Sequence, residues 1–250
     1  MLLRRPLACL ALIVAFASSS VLNAKAPDAS PPAAAPASDA DRFVSIFDGK
    51  TLDGWKAPDM SFWKVEDGAI TGEVTADHKP KETLFLVWQG GEAKDFELKF
   101  QFRIFGKESN SGMQFRSEVK ERGLVHGYQA DIDGLGKFAA GIWDEFGTRR
   151  SLAGRGERVK WDAEGKRTVV EKIADPFGEK PADLTQWTEY HIIARGDTVR
   201  LMVNGKLACE LVDQDKQKAR AGGVFAVPVI TKEMKVQYKD IRLKRLDGGK

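Results

Sequence analysis

Residues 96–105 read FELKFQFRIF. Phe96, Leu98, Phe100, Phe102 and Ile104 alternate with Glu97, Lys99, Gln101 and Arg103, a period of two that puts one set in a core and the other in water. That is a strand. The same signal recurs along the chain. In TVRLMVNGKLACELV (198–212), Val199, Leu201 and Val203 stay in phase up to Asn204-Gly205, a pair that accepts the positive φ values of a tight hairpin turn. In MKVQYKDIRLKRL (234–246), Met234, Val236 and Tyr238 share a face, but Ile241 and Leu243 restart one residue out of step. A β-bulge near Lys239-Asp240 would restore the inward direction. GRGERVKWDAEGKRT (154–168) reads as a solvated hairpin turning at Gly165, and DQDKQKAR (213–220) as one short turn. Helical periodicity is otherwise absent. Many short strands between Gly-rich turns predict an all-β sandwich.

The first 24 residues carry Arg4 and Arg5, then the apolar run from Leu7 to Ala17, then small residues up to Ala24. This is the pattern of a secretory signal peptide, since the run is too short to span a bilayer and the charge precedes it. Cys9 does not make it a lipoprotein signal, because the apolar run follows the cysteine. Residues 25–41, KAPDASPPAAAPASDAD, hold no large apolar side chain and read as a tether. One folded domain is expected from residue 42 to 246, in the periplasm or outside the cell. Without Arg4 and Arg5, 37 basic residues face 36 acidic ones, which gives no electrostatic footprint for nucleic acid. Cys209 would be the sole cysteine after cleavage, so the core must hold the fold without a disulfide. No later segment is long and apolar enough to span a membrane.

Three segments gather polar residues on a second strand face. In NSGMQFRSE (110–118), Gln114 and Arg116 alternate with Met113 and Phe115; in HGYQADID (126–133), Gln129, Asp131 and Asp133 alternate with Tyr128, Ala130 and Ile132. If these strands are neighbours, Arg116 comes within reach of Asp131. GIWDEFGTRRSL (141–152) follows, with Asp144 and Glu145 placed to close the same surface. A solvated sheet face and an ordinary turn would produce the same letters. Unlike charges and amides aimed at one surface, beside Tyr128, Trp143 and Phe146, favour a site. No nucleophile elbow, phosphate loop or dinucleotide fingerprint occurs, and His78, His126 and His191 lack metal-ligand spacing. His191 reads as a surface or hydrogen-bonded residue. No cofactor is indicated.

FVSIFDGKTLDGWK, WKVEDGAITGE, DFELKFQFRI, NSGMQFR, GYQADI, GIWDE, WTEYHIIARG, VNGKL and VQYKDIRLKRL, in this order, resemble the 3-keto-disaccharide hydrolase family, also described as 3-keto-glucoside lyases and 3-keto-glucal hydratases. The likeness covers nearly all of residues 43–246. It implies a concanavalin A-like jelly roll, two curved antiparallel sheets with sugar bound on a concave face. It also implies chemistry on glycosides oxidised at C3: the ketone acidifies the C2 proton, a base removes it, the C1 aglycone leaves, and water adds to the enone. Such a site needs a base, an acid and a donor to the enolate oxygen.

Carried onto matching positions, the resemblance implies Asp131 and Glu145 as the acid/base pair, in either order, with Arg116 holding charge at the ketone oxygen. Asn110, Gln114, Gln129 and Asp144 would orient hydroxyls, Trp143 would face the sugar ring, and Arg150 would pair with Glu145. One departure stands out. Where the family usually shows a Gln-x-His pair, this chain has Pro228 and Ile230 in GGVFAVPVITKEM, neither of which can donate a hydrogen bond from its side chain or carry a proton. A non-catalytic, lectin-like carbohydrate-binding module and a tethered interaction domain are the alternative readings.

Overall fold

The structure is a computed structural model that describes residues 42–106, 108–178 and 182–246. The expected leader (1–24) and tether (25–41) lie outside the described residues.

Among the described residues, seventeen strands form two sheets. The first contains β1 (Val44–Ser45), β3 (Trp63–Glu66), β4 (Ala69–Val74), β6 (Phe96–Phe105), β11 (Glu157–Trp161), β12 (Arg167–Lys172), β13 (Thr188–Arg195), β14 (Thr198–Val203), β15 (Lys206–Asp213) and β17 (Met234–Arg245). Its order is β12-β11-β15-β14-β13-β6-β17-β4-β3, with β1 also on β17. The second contains β2 (Trp55–Lys56), β5 (Leu84–Trp88), β7 (Asn110–Val119), β8 (Val125–Asp133), β9 (Ile142–Glu145), β10 (Arg150–Ala153) and β16 (Val224–Val229), in the order β10-β9-β8-β7-β16-β5-β2. Every pairing is antiparallel except β11 with β15.

The alternation in β6 is realised residue by residue: Phe96, Leu98, Phe100, Phe102 and Ile104 are at most 2% exposed, and the residues between them are half-buried on the outer side. Each such apolar side chain contributes about 1.5–3 kcal/mol on leaving water. The second sheet meets them with Met113, Phe115, Tyr128, Ala130 and Ile132, all buried. Phe96 ties the sheets together, its ring 6.2 Å from Phe115 and 4.8 Å from Phe225, both edge to face.

The local turns follow the sequence. Asn204 (φ 47°) and Gly205 (φ 78°) close the β14–β15 hairpin. The register of β17 against β6 shifts between Lys239 and Arg242, with Asp240 at φ 52°, so the bulge lies where the apolar phase breaks. Gly165 turns β11 into β12, and after Asp213, which still belongs to β15, residues 215–219 make a single turn, with Ala219 N donating to Asp215 O. His191, in β13, points to the outer side of the first sheet, with Nε2 3.0 Å from Glu97 Oε2.

Candidate active site

The site is built on the face of the second sheet turned away from the core. Register fixes its floor. Gly112 pairs with Asp131 and Gln114 with Gln129; on the other side, Gln129 pairs with Trp143 and Gly127 with Glu145. Alternation then places Asn110 and Gln114 of β7, Gln129 and Asp131 of β8, and Trp143 and Glu145 of β9 on one surface. Gln129 Nε2 donates to Asp131 Oδ1 at 2.9 Å, and Asn110 Nδ2 stands 3.4 and 3.5 Å from the two carboxylate oxygens. Gln114 Nε2 donates to Gln129 Oε1 at 2.9 Å. Gly112 makes this possible: a Cβ there would lie 2.6 Å from Gln129 Cδ and 2.8 Å from Ala130 O.

A small hollow of about 50 Å³ opens over Asp131. Trp143 and Phe138 form its aromatic walls, with ring centroids 5.7 Å apart, and Lys137, Ser151 and Arg155 also line it. The segment carrying Lys137 and Phe138 is held at both ends. Asp133 Oδ1 accepts Leu135 N, and Oδ2 accepts Lys137 N and Phe138 N at 2.8 and 2.9 Å. Arg155 Nη1 donates to Gly136 O and Ala139 O at 2.7 and 3.0 Å, while its Nε donates to Asp175 Oδ2. Lys137 Nζ lies 5.0 Å from the Phe138 ring centroid.

Burial dominates the electrostatics. Asp131 is 5% exposed, and loss of water pushes its carboxyl up to about 7; the Gln129 and Asn110 hydrogen bonds pull it down, and Asp133 and Glu145 push it further up. Glu145, half-buried, is raised for the same reason, with Asp144 adding to it. Asp131 can therefore exchange a proton with a bound molecule near neutral pH, and Glu145, opposite Gly127 and outside the hollow's lining, also holds its proton above its ordinary range.

Five expected placements are corrected. Gln114 and Gln129 lie on the polar face, but both are buried beneath the hollow, outside its lining, with their amides engaged with one another and with Asp131 rather than open to hydroxyls of a ligand. Arg116 does not reach Asp131. The register passes from Phe115↔Tyr128 to Glu118↔His126, so two residues of β7 face one of β8. At this bulge Arg116 takes φ 47° and leaves the polar face. Its side chain is buried, with Nε donating to Lys94 O at 3.0 Å, Nη1 to Arg220 O at 3.3 Å and Nη2 to Asp95 Oδ1 at 3.2 Å. Asp144, one residue from Glu145, points to the opposite face by simple alternation. It joins a buried cluster in which Arg149 Nε is 3.7 Å from Asp144 Oδ2, and Arg149 Nη1 is 2.9 Å from Asp213 Oδ1 and 3.5 Å from Asp215 Oδ2. Gly147 leaves room for this carboxylate, which a Cβ there would overlap. Arg150 is exposed at φ 57° and forms no ion pair with Glu145; the buried arginine is its neighbour Arg149, paired to Asp144.

Lys137, Ser151 and Arg155 were not legible as lining residues. The one available signal was Asp133 ahead of Gly134 and Gly136, the composition of a turn capped by a carboxylate. Pro228 lies on β16, two residues beyond the Ala226↔Gln114 pair, and so level with Gly112 and in the row of Asp131. Its carbonyl accepts Ser111 Oγ. Ile230 packs against the main core. The two positions where the family resemblance leads to a Gln-x-His pair are therefore apolar here.

Residues 42–244 match the family described as the 3-keto-alpha-glucoside-1,2-lyase-like domain. Over 89 residues the chain is 32% identical to the 3-keto-disaccharide hydrolase of Bacteroides thetaiotaomicron, a stretch covering 32% of this chain and only 29% of that protein. Among solved structures, a Parabacteroides distasonis protein provisionally described as a glycosyl hydrolase aligns at 18% identity and a TM-score of 0.54, over 82% of this chain and 94% of its own. A Bacillus subtilis protein of unknown function with a galectin-like fold aligns at 12% identity and a TM-score of 0.54, over 77% and 89%. These two likenesses are of fold, a sandwich of the galectin and concanavalin kind. The match over residues 42–244 makes the chain a member of the 3-keto-alpha-glucoside-1,2-lyase-like domain family.

Proposed function

We propose that the protein is a carbohydrate-active enzyme that cleaves 3-keto-glycosides outside the cytoplasm by elimination and hydration. One observation carries the reading: a nearly fully buried carboxyl, Asp131, lies at the floor of an aromatic-walled hollow, is raised to about 7, and has an amide rather than a cation as its close partner. A carboxylate so placed is a stronger base than a solvated one and needs no change of fold to act near neutral pH.

In this reading Asp131 takes the proton from C2, and the electrons of the C–H bond form the enolate of the C3 ketone. The C1–O bond then breaks, and the departing oxygen takes a proton from Glu145. This leaves a C1=C2 enone. Water adds at C1 with Glu145, now ionised, accepting its proton, and Asp131 returns a proton to C2. The sum is hydrolysis with both carboxyl groups restored. With Arg116 committed elsewhere, positive charge at the C3 oxygen falls to Lys137, because Arg155 is engaged with two carbonyls and Asp175. Trp143 and Phe138 pack against the ring.

The test is incubation with a 3-keto-glucoside in deuterated water, following enone absorbance and deuterium at C2. Enone formation with exchange supports the reading; absence of both, at concentrations where the sugar binds, removes it. A second reading, sugar binding without turnover, is favoured by Pro228 and Ile230, which cannot move protons, and predicts binding with no exchange at C2. Export is tested by the N-terminus of the mature protein, expected after Ala24.

A further inference from the structure

Four polar side chains lie in a row under the hollow, and only the last of them lines it. Ser117 and Gln129 are each 2% exposed and Gln114 is 0% exposed, yet every link is made. Ser117 Oγ stands 2.8 Å from Gln114 Oε1, Gln114 Nε2 is 2.9 Å from Gln129 Oε1, and Gln129 Nε2 is 2.9 Å from Asp131 Oδ1. The β7 bulge that removes Arg116 from this surface is also what brings Ser117 onto it, over Gly127, where a Cβ would overlap the serine.

An amide can face its neighbour either way round, whereas an ionised carboxylate only accepts. If Gln129 turned over, its carbonyl would face Asp131, an arrangement that repels the anion and holds only the protonated acid. Gln129 is kept from turning because its own carbonyl is taken by Gln114, whose carbonyl is in turn met by the Ser117 hydroxyl. That hydroxyl also has the Phe115 carbonyl at 2.9 Å, so its orientation is where the chain can be loosened.

We propose that Gln114 and Ser117, neither of which touches Asp131, are positioning residues that hold the Gln129 amide with its N–H toward the Asp131 carboxylate. This rests on Asp131 being the base of the proposed reaction only for its catalytic consequence; the orientation itself is independent of turnover. The other groups facing Asp131 are Asp133 on its own strand, Glu145 on β9, Lys137 and Arg155 around the hollow, and Tyr190 and Tyr238 from the first sheet. Substitution at 114 or 117 by a neutral residue changes the charge of none of them.

The experiment is a titration of the Asp131 carboxyl by 13C NMR in the full protein without sugar, the signal being assigned by its loss in Asp131→Asn. In Gln114→Met, Gln129 is free to turn over when Asp131 is protonated, and the midpoint is expected to rise by about one pH unit, the scale of one charge-assisted hydrogen bond. Ser117→Ala is expected to move it the same way by less. A Gln114→Met midpoint equal to that of the wild type overturns the proposal; if that variant does not fold, an unmoved midpoint in Ser117→Ala does so. A raised midpoint in protein that turns over no 3-keto-glucoside, wild type included, supports the positioning role and removes the enzymatic reading alone. Where turnover is present, the rising limb of kcat/KM should move with the NMR midpoint.

Discussion

Replacing Asp131 with Asn should stop turnover and, at alkaline pH, stabilise the fold. The carboxyl has an ordinary value of 3.8 and is raised to about 7 in the folded protein. The folded state therefore holds this proton more tightly than the unfolded chain does. Its contribution to stability is fully present below about pH 4 and is lost as pH rises through about 7. A displacement of about three pH units corresponds to about 4 kcal/mol, of which about 3 kcal/mol falls between pH 4.5 and 8.5. Asparagine has the same shape and no charge to bury, so the variant escapes this loss. The Gln129 bond survives, because the asparagine oxygen can accept it, and the long Asn110 contacts carry little energy at 3.4 and 3.5 Å. Thermal melts of both proteins at the two pH values measure the effect. For a domain of this size about 3 kcal/mol is a gain of roughly 6–12 °C for the variant relative to wild type on going from pH 4.5 to 8.5. If the gap between the two proteins is the same at both pH values, Asp131 is not a buried base with a raised pKa, and its catalytic assignment falls with it. With a nitrophenolate leaving group, which needs no acid, wild-type kcat/KM should correspondingly rise with pH and level off above about 7.

Glu145→Gln should slow cleavage about 10²–10⁴-fold for a sugar leaving group and much less for nitrophenolate, which needs no proton; equal losses for both would take the acid role from Glu145. Lys137→Met should lower kcat by about 10²–10³-fold with the melting temperature nearly unchanged, and wild-type kinetics would show that the enolate charge is met elsewhere. Gly112→Ala should cost about 1–3 kcal/mol in urea unfolding, since its Cβ displaces Gln129, and should cut turnover in the protein that remains folded. Arg149→Met should cost about 3–5 kcal/mol by leaving Asp144, Asp213 and Asp215 buried without their cation, with kcat of the folded fraction retained; loss of kcat at full stability would place Arg149 in the site instead.

What could be read in advance, and what could not, divides on a physical line. Alternation reports the face of a side chain only while the phase is unbroken. In β17 the break was visible, because apolar residues stand on both sides of Lys239-Asp240 and their mismatch demands a bulge. In β7 the break falls in Arg116-Ser117-Glu118, and Val119 beyond it stays in step with Met113 and Phe115, so no change of phase shows in the sequence and Arg116 reads as part of the polar face. For Asp144 the phase is unbroken, and strict alternation itself separates it from Glu145. The parallel β11–β15 pair and the Arg149 cluster join segments about 50–65 positions apart, which no local pattern encodes. The Lys137 turn depends on caps from Asp133 and Arg155 that are formed only in the folded chain.

The two bulges also differ in what they do. The one in β17 keeps a core strand pointing inward and has no bearing on the polar face. The one in β7 turns an arginine off the polar face and brings Ser117 onto it, where the hydroxyl ends the run of hydrogen bonds that passes through Gln114 and Gln129 to Asp131. With Ser117, Gln114 and Gln129 there instead, the carboxylate is oriented by amides and stays basic. An Asp131 titrating near its ordinary value would show that burial and bulge serve the fold alone.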